Sequence, residues 1–86
     1  MIAGELLEVI EKRAPDISFS VSGDGKNFSI EAVGMRFQDM SRLQRQKEVF
    51  KLISHLIADG TLHAISISTY TPSEFSVSRP IESPNK

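Results

Sequence analysis

The stretch ISFSVSGDGKNFSIEAV, residues 17–33, limits the possible folds of this chain more than any other. Ile17, Phe19 and Val21 alternate with Ser18, Ser20 and Ser22, and after the GDGK break Phe28, Ile30 and Ala32 alternate with polar residues. Successive side chains of an extended strand point to opposite faces, so each half puts its large apolar groups on one side only. Glycines flanking Asp24 supply the positive φ angles of a tight reversal, and the two halves read as a β-hairpin. A hairpin with one apolar face is not stable alone in water. Something else in the chain must cover it.

Two segments supply the cover. In residues 2–13, Ile2, Leu6, Val9 and Ile10 share a helical face, with Glu5, Glu8 and Glu11 elsewhere. Pro15 ends that helix, because the residue before a proline disfavours helical angles. Ser41 opens a longer helix to Asp59, with Gln44 as its capping-box partner and Gly60 as its stop. Leu43, Phe50, Ile53 and Ile57 share a face of it, joined by Val49 and Leu56, and Phe50 and Ile53 are expected to bury against a sheet that includes Phe19, Phe28 or their opposite-face neighbours. Residues 34–40 are a connector. A third strand is expected over Leu62–Thr69. Thr71, Pro72 and Glu74 then match the N-cap, first and third positions of a short helix. The order gives an α+β domain over residues 1–76, a three-stranded sheet with helices packed on one face. The polar, proline-bearing residues 77–86 are expected to form a flexible tail.

Composition removes several classes of function. The chain has no cysteine, hence no disulfide, thiol nucleophile or self-contained thiolate metal site. Its net charge of −1 offers no overall drive toward phosphate. No apolar run approaches the roughly 20 residues of a membrane span, and the N-terminus lacks a signal-peptide layout, so a cytoplasmic protein is expected. Charge is uneven, however. Residues 1–35 carry three positive and six negative side chains, whereas residues 36–51 carry five positive and two negative.

That basic segment is one place to look for a ligand. On a helical wheel Lys47 and Lys51 fall on one flank of the core face and Arg42 and Arg45 on the other, diluted by Glu48 and Asp39. They do not form a single stripe, and a solvated helix surface competes with a nucleic-acid footprint. GDGK lacks phosphate-loop spacing and joins two strands, so it reads as a turn. His55 falls opposite the Phe50–Ile53–Ile57 face, toward solvent. His63 stands where a turn meets an apolar strand, anchored by backbone yet reachable from outside. No nucleophile–base pair or paired-carboxylate motif appears, and the reading is not that of an enzyme.

Three segments carry a likeness: VSGDGKNFSIEAVG (21–34), RFQDMSRLQRQKEV (36–49) and LHAISISTYTPSEF (62–75). In order and spacing they resemble the BolA family, in its IbaG-like branch. The most specific part joins His63-Ala64 to Tyr70-Thr71 and Glu74. The resemblance implies a type II KH-like αββααβ domain with a mixed three-stranded sheet. It implies partnership with a monothiol glutaredoxin, in which glutaredoxin and glutathione thiolates and a histidine, here His63, share a 2Fe–2S cluster. The isolated chain would then hold no cofactor and be a monomer or weak homodimer. Where IbaG-like chains read SHF after the hairpin turn, this one reads Lys26-Asn27-Phe28. Asn27 replaces the histidine expected as second ligand, which leaves Asp24, another loop group, glutathione or water for that role. The family's F-x-G is Phe37-Gln38-Asp39 here. No G-x-x-G clamp is present. The alternative function is a KH-like nucleic-acid-binding transcriptional regulator, binding weakly through Arg42, Arg45, Lys47 and Lys51.

Overall fold

A computed structural model describes residues 1–25 and 27–78. Lys26 of the turn, and residues 79–86 of the expected tail, lie outside the described residues.

The chain runs α1 (Ala3–Arg13), β1 (Ser18–Asp24), β2 (Asn27–Val33), a 3-10 turn (Met35–Phe37), α2 (Arg42–Ala58), β3 (Ala64–Tyr70) and α3 (Pro72–Ser78). The 3-10 turn and α2 are the two consecutive helical elements of the αββααβ order. α3 follows β3 and continues two residues past the expected domain end at residue 76. The sheet order is β1-β2-β3. β1 and β2 are antiparallel, and β2 and β3 are parallel. A parallel pair needs a crossover, and α2 is that crossover.

Alternation in the hairpin sorts the sheet into two faces. Phe19, Phe28, Ile30 and Ala32 point into the core. In register with them lie Ile65 and Ile67 of β3, half-buried. On the other face Ser22, Ser29 and Ser66 stand abreast, and Ser20, Glu31 and Ser68 make the next row. α1 brings Leu6 and Ile10 onto the apolar face, and α2 brings Val49, Leu52 and Ile53. Phe37 is fully buried, which explains the 3-10 turn: the connector is pinned to the core by one aromatic ring. Arg36 beside it clamps Asp16 through two bonds of 2.8 and 2.6 Å and reaches Glu48 at 3.4 Å. That guanidinium lowers the Asp16 carboxyl below its usual range.

The expected burial of Phe50 is overturned. Phe50 is 44% exposed and Leu43 63% exposed, while Ile53 is fully buried. The stripe facing the sheet is Val49, Leu52 and Ile53, with Leu56 beside it. Phe50 lies about 100° round the helix from Val49, since each residue advances by that angle. On that flank the sheet ends at β3, and no fourth strand covers it among the described residues. The strand expected from Leu62 begins at Ala64, because fully buried Leu62 is spent on the turn.

Candidate functional site at the hairpin end of the sheet

The register decides which residues meet. Asp24 pairs with Asn27, and Asn27 pairs with Ala64, which directly follows His63. The hairpin tip and the entry to β3 therefore share one end of the sheet. Strands lie about 4.8 Å apart, so the Asp24 and Ala64 backbones are about 10 Å apart with Asn27 between them. Sequence alone does not give this row, since it depends on β3 running parallel beside β2.

Each flank of the row is held. Gly23 has φ +113°, and a Cβ there would lie 2.4 Å from the Asn27 carbonyl oxygen and 2.9 Å from the Phe28 Cα. Only glycine lets the two strands approach so closely at that point. On the other flank α2 ends at Ala58 and the chain turns at Gly60, with φ +83°. The Leu62 amide donates to the Leu56 carbonyl at 3.1 Å, and the Asp59 carboxylate accepts from the Thr61 amide at 2.9 Å. Hydrogen bonds from the Thr61 side chain, and then from its amide, lower the Asp59 pKa. Thus His63 stands exposed between a fully buried leucine and a residue paired into the sheet. Beside it a shallow cleft of about 310 Å³ is lined by Gly23, Asn27, Phe28, Ser29, Ala64, Ile65 and Ser66.

The donor set is one imidazole, one carboxylate and one amide. Among the described residues no three His, Cys, Asp or Glu side chains lie close enough to hold a metal ion. Iron–sulfur clusters are held chiefly by thiolates, and this chain has none. Such residues fit a cluster as co-ligands to another molecule's thiolates. They do not fit it as a host.

The basic residues are dispersed. Arg45 forms a two-pronged pair with Glu74 of α3, at 2.6 and 3.2 Å, and its Nε donates to the Met40 carbonyl at 3.2 Å. Lys51 pairs with Glu48 at 3.2 Å. Arg42 joins Arg45, Glu74 and Tyr70 around a cleft of about 420 Å³ between α2, β3 and α3, and Lys47 is exposed on α2. The Arg45–Glu74 pair, joined to the Thr71–Glu74 capping box, holds the Glu74 carboxyl down to about 2. Its work is to fasten α3 to α2 across 29 positions of sequence, which no local pattern announces. His55 is exposed, and its Nδ1 lies 3.5 Å from Arg13 of α1.

Comparison with known proteins agrees with the architecture. A family model described as BolA-like protein matches residues 3–74. The chain belongs to the BolA family. The acid stress protein IbaG of Escherichia coli strain K12 is 46% identical over 59 residues, covering 69% of this chain and 70% of that protein. A BolA protein homologue from Coxiella burnetii superposes with a TM-score of 0.77 at 25% identity, over 88% of this chain and 97% of its own. Yeast Fra2 superposes with a TM-score of 0.72 at 28% identity, over 100% of this chain and 96% of its own. The mixed three-stranded sheet with its helices on one face is thus the BolA-like fold. No helix among the described residues is long and apolar enough to cross a membrane.

Proposed function

We propose that the chain is a BolA-like adaptor that docks a monothiol glutaredoxin and gives the His63 imidazole to a 2Fe–2S cluster. The glutaredoxin and its glutathione supply the thiolates, and the role is iron–sulfur trafficking or iron homeostasis, in the cytoplasm. One observation carries the reading: an exposed imidazole stands directly before a strand residue paired into the sheet, in a chain without cysteine. A donor whose backbone is already fixed loses little conformational freedom on ligation. A neutral imidazole on one iron is sound cluster chemistry and raises the potential relative to all-thiolate ligation. Asn27 offers an amide, a poor iron donor. Among the described residues Asp24 is a further donor at this end of the sheet, two strand spacings from Ala64, with another loop group, glutathione or water as the alternatives for the second position.

Calorimetric titration of the chain into glutathione-loaded monothiol glutaredoxin, with and without cluster, tests the proposal. Tighter binding to the cluster-loaded form is expected. Equal affinity for both forms would reduce the chain to a docking module without ligation.

A further inference from the structure

Two bonds fix which backbone groups β3 shows to the outside. The Tyr70 carbonyl accepts from the Gly34 amide at 3.0 Å and so faces β2. The Ile67 carbonyl accepts from the Gln46 side-chain amide at 2.8 Å and so faces away from the sheet. A strand residue sends its N–H and C=O to the same side, and neighbours alternate. Ser66, Ser68 and Tyr70 therefore serve the sheet, while Ile65, Ile67 and Thr69 turn both groups outward. Neither the amide nor the carbonyl of Thr69 has a partner among the described residues.

Thr69 lines the cleft of about 420 Å³ between α2, β3 and α3, a volume suited to a small ligand. Two arginines line it as well. Arg45 is neutralised by Glu74, whereas the exposed Arg42 guanidinium has no hydrogen bond or ion pair among the described residues. The cleft thus holds one uncompensated positive charge beside an unpaired N–H and an unpaired C=O.

That set of groups selects a ligand. An arginine fork matches a carboxylate. Opposed residues of an antiparallel pair exchange both N–H···O bonds. A residue opposite Thr69 would donate its N–H to the Thr69 carbonyl and accept the Thr69 N–H on its own carbonyl carbon's oxygen. If that residue is the last of its chain, the oxygen is a carboxylate oxygen, and the second one is left for Arg42. A strand continuing past this point would meet Gln46, which already holds the Ile67 carbonyl. A strand that ends there does not. A phosphate dianion fits less well, with one net positive charge and the Glu74 carboxylate beside it.

We propose that this cleft binds the α-carboxylate and adjoining N–H of an acylated amino acid, either free or as the C-terminal residue of a peptide. Five strand steps, about 16 Å, separate Thr69 from Ala64 at the His63 end, so the site is separate from the candidate cluster site and does not depend on it.

The test titrates the ¹⁵N-labelled chain with N-acetylglycine and follows the amide resonances. A saturable shift centred on the Thr69 amide is expected. N-acetylglycinamide, which lacks the carboxylate, and acetate, which lacks the N–H, are expected to bind about tenfold or more weakly. Arg42→Gln should weaken N-acetylglycine by a similar factor, while Lys12→Gln, the same charge change on α1, leaves it alone; the spectra themselves show that both variants fold. N-acetyl-triglycine distinguishes the sources: tighter binding than N-acetylglycine supports a peptide terminus, and weaker binding supports a free acyl amino acid. Shifts that do not saturate, or that centre away from Thr69, would overturn the site. So would equal affinity in Arg42→Gln, or for N-acetylglycinamide. Acetate binding as well as N-acetylglycine would overturn the paired N–H, and tighter binding of inorganic phosphate would overturn the carboxylate.

Discussion

Truncating Ile53 should destabilise the protein more than truncating the larger Phe50. Ile53 is fully buried beneath α2, whereas Phe50 keeps 44% of its surface in water. Removing the Ile53 side chain loses its transfer free energy and leaves a cavity that neighbours fill only in part, so Ile53→Ala should cost about 2–5 kcal/mol. Full burial of a phenylalanine is worth about 1.5–3 kcal/mol. Phe50 realises about half of that and leaves no cavity, because the space it vacates opens to solvent. Phe50→Ala should therefore cost about 1 kcal/mol. A domain of 86 residues has roughly 4–13 kcal/mol in all, at 0.05–0.15 kcal/mol per residue. The first variant then loses a substantial share of that stability, and the second a clearly smaller one. Equilibrium urea unfolding, followed by far-ultraviolet circular dichroism, separates them through the midpoint at unchanged slope. A larger loss for Phe50→Ala than for Ile53→Ala would refute the placement of α2 on the sheet.

Two further outcomes follow from the hairpin and from α3. Gly23→Ala should cost about 3 kcal/mol or more, because its Cβ would press on the β2 backbone, while Gly25→Ala, with open space around it, should cost only the left-handed penalty of about 1–2 kcal/mol; equal losses in urea would count against the close approach. The Glu74 pKa is lowered from 4.5 to about 2 in the folded protein, so its contribution is complete above about 4.5 and fades as pH falls toward 2. Glu74→Gln should loosen α3 at neutral pH and converge with wild type near pH 2. Fluorescence of Tyr70, the chain's one tyrosine, which lies 5.4 Å edge-on from Phe75, reports it; a difference that persists unchanged at pH 2 would refute the Arg45–Glu74 fastening.

Periodicity and capping made the elements legible. The Asn27–Val33 strand and the Ser41–Gln44 box stand as the residues imply, since both are local devices. The apolar face of α2 was harder to read. Its Leu43, Phe50, Ile53 and Ile57 fall within about 80° of one another, but that arc is offset from the buried Val49, Leu52 and Ile53 toward the flank beyond β3, and where the sheet stops is a tertiary fact. His63 was legible as a residue at a turn-to-strand boundary. That Asp24 and Asn27 share its end of the sheet was not, because only the parallel pairing of β3 with β2 brings them there. Arg45 shows the opposite case: a cation counted toward a nucleic-acid footprint is occupied by Glu74, 29 residues away.

The most direct test of the central claim is His63→Ala, read in the cluster-bearing complex with monothiol glutaredoxin. His63 is exposed and contributes little packing, so the variant should fold as wild type does. His55→Ala, at an exposed position of α2, is the control. If His63 ligates iron, its removal should change the visible absorption and circular dichroism of the shared cluster and shorten its lifetime, while His55→Ala leaves all three alone. An unchanged spectrum and lifetime in His63→Ala would contradict the assignment.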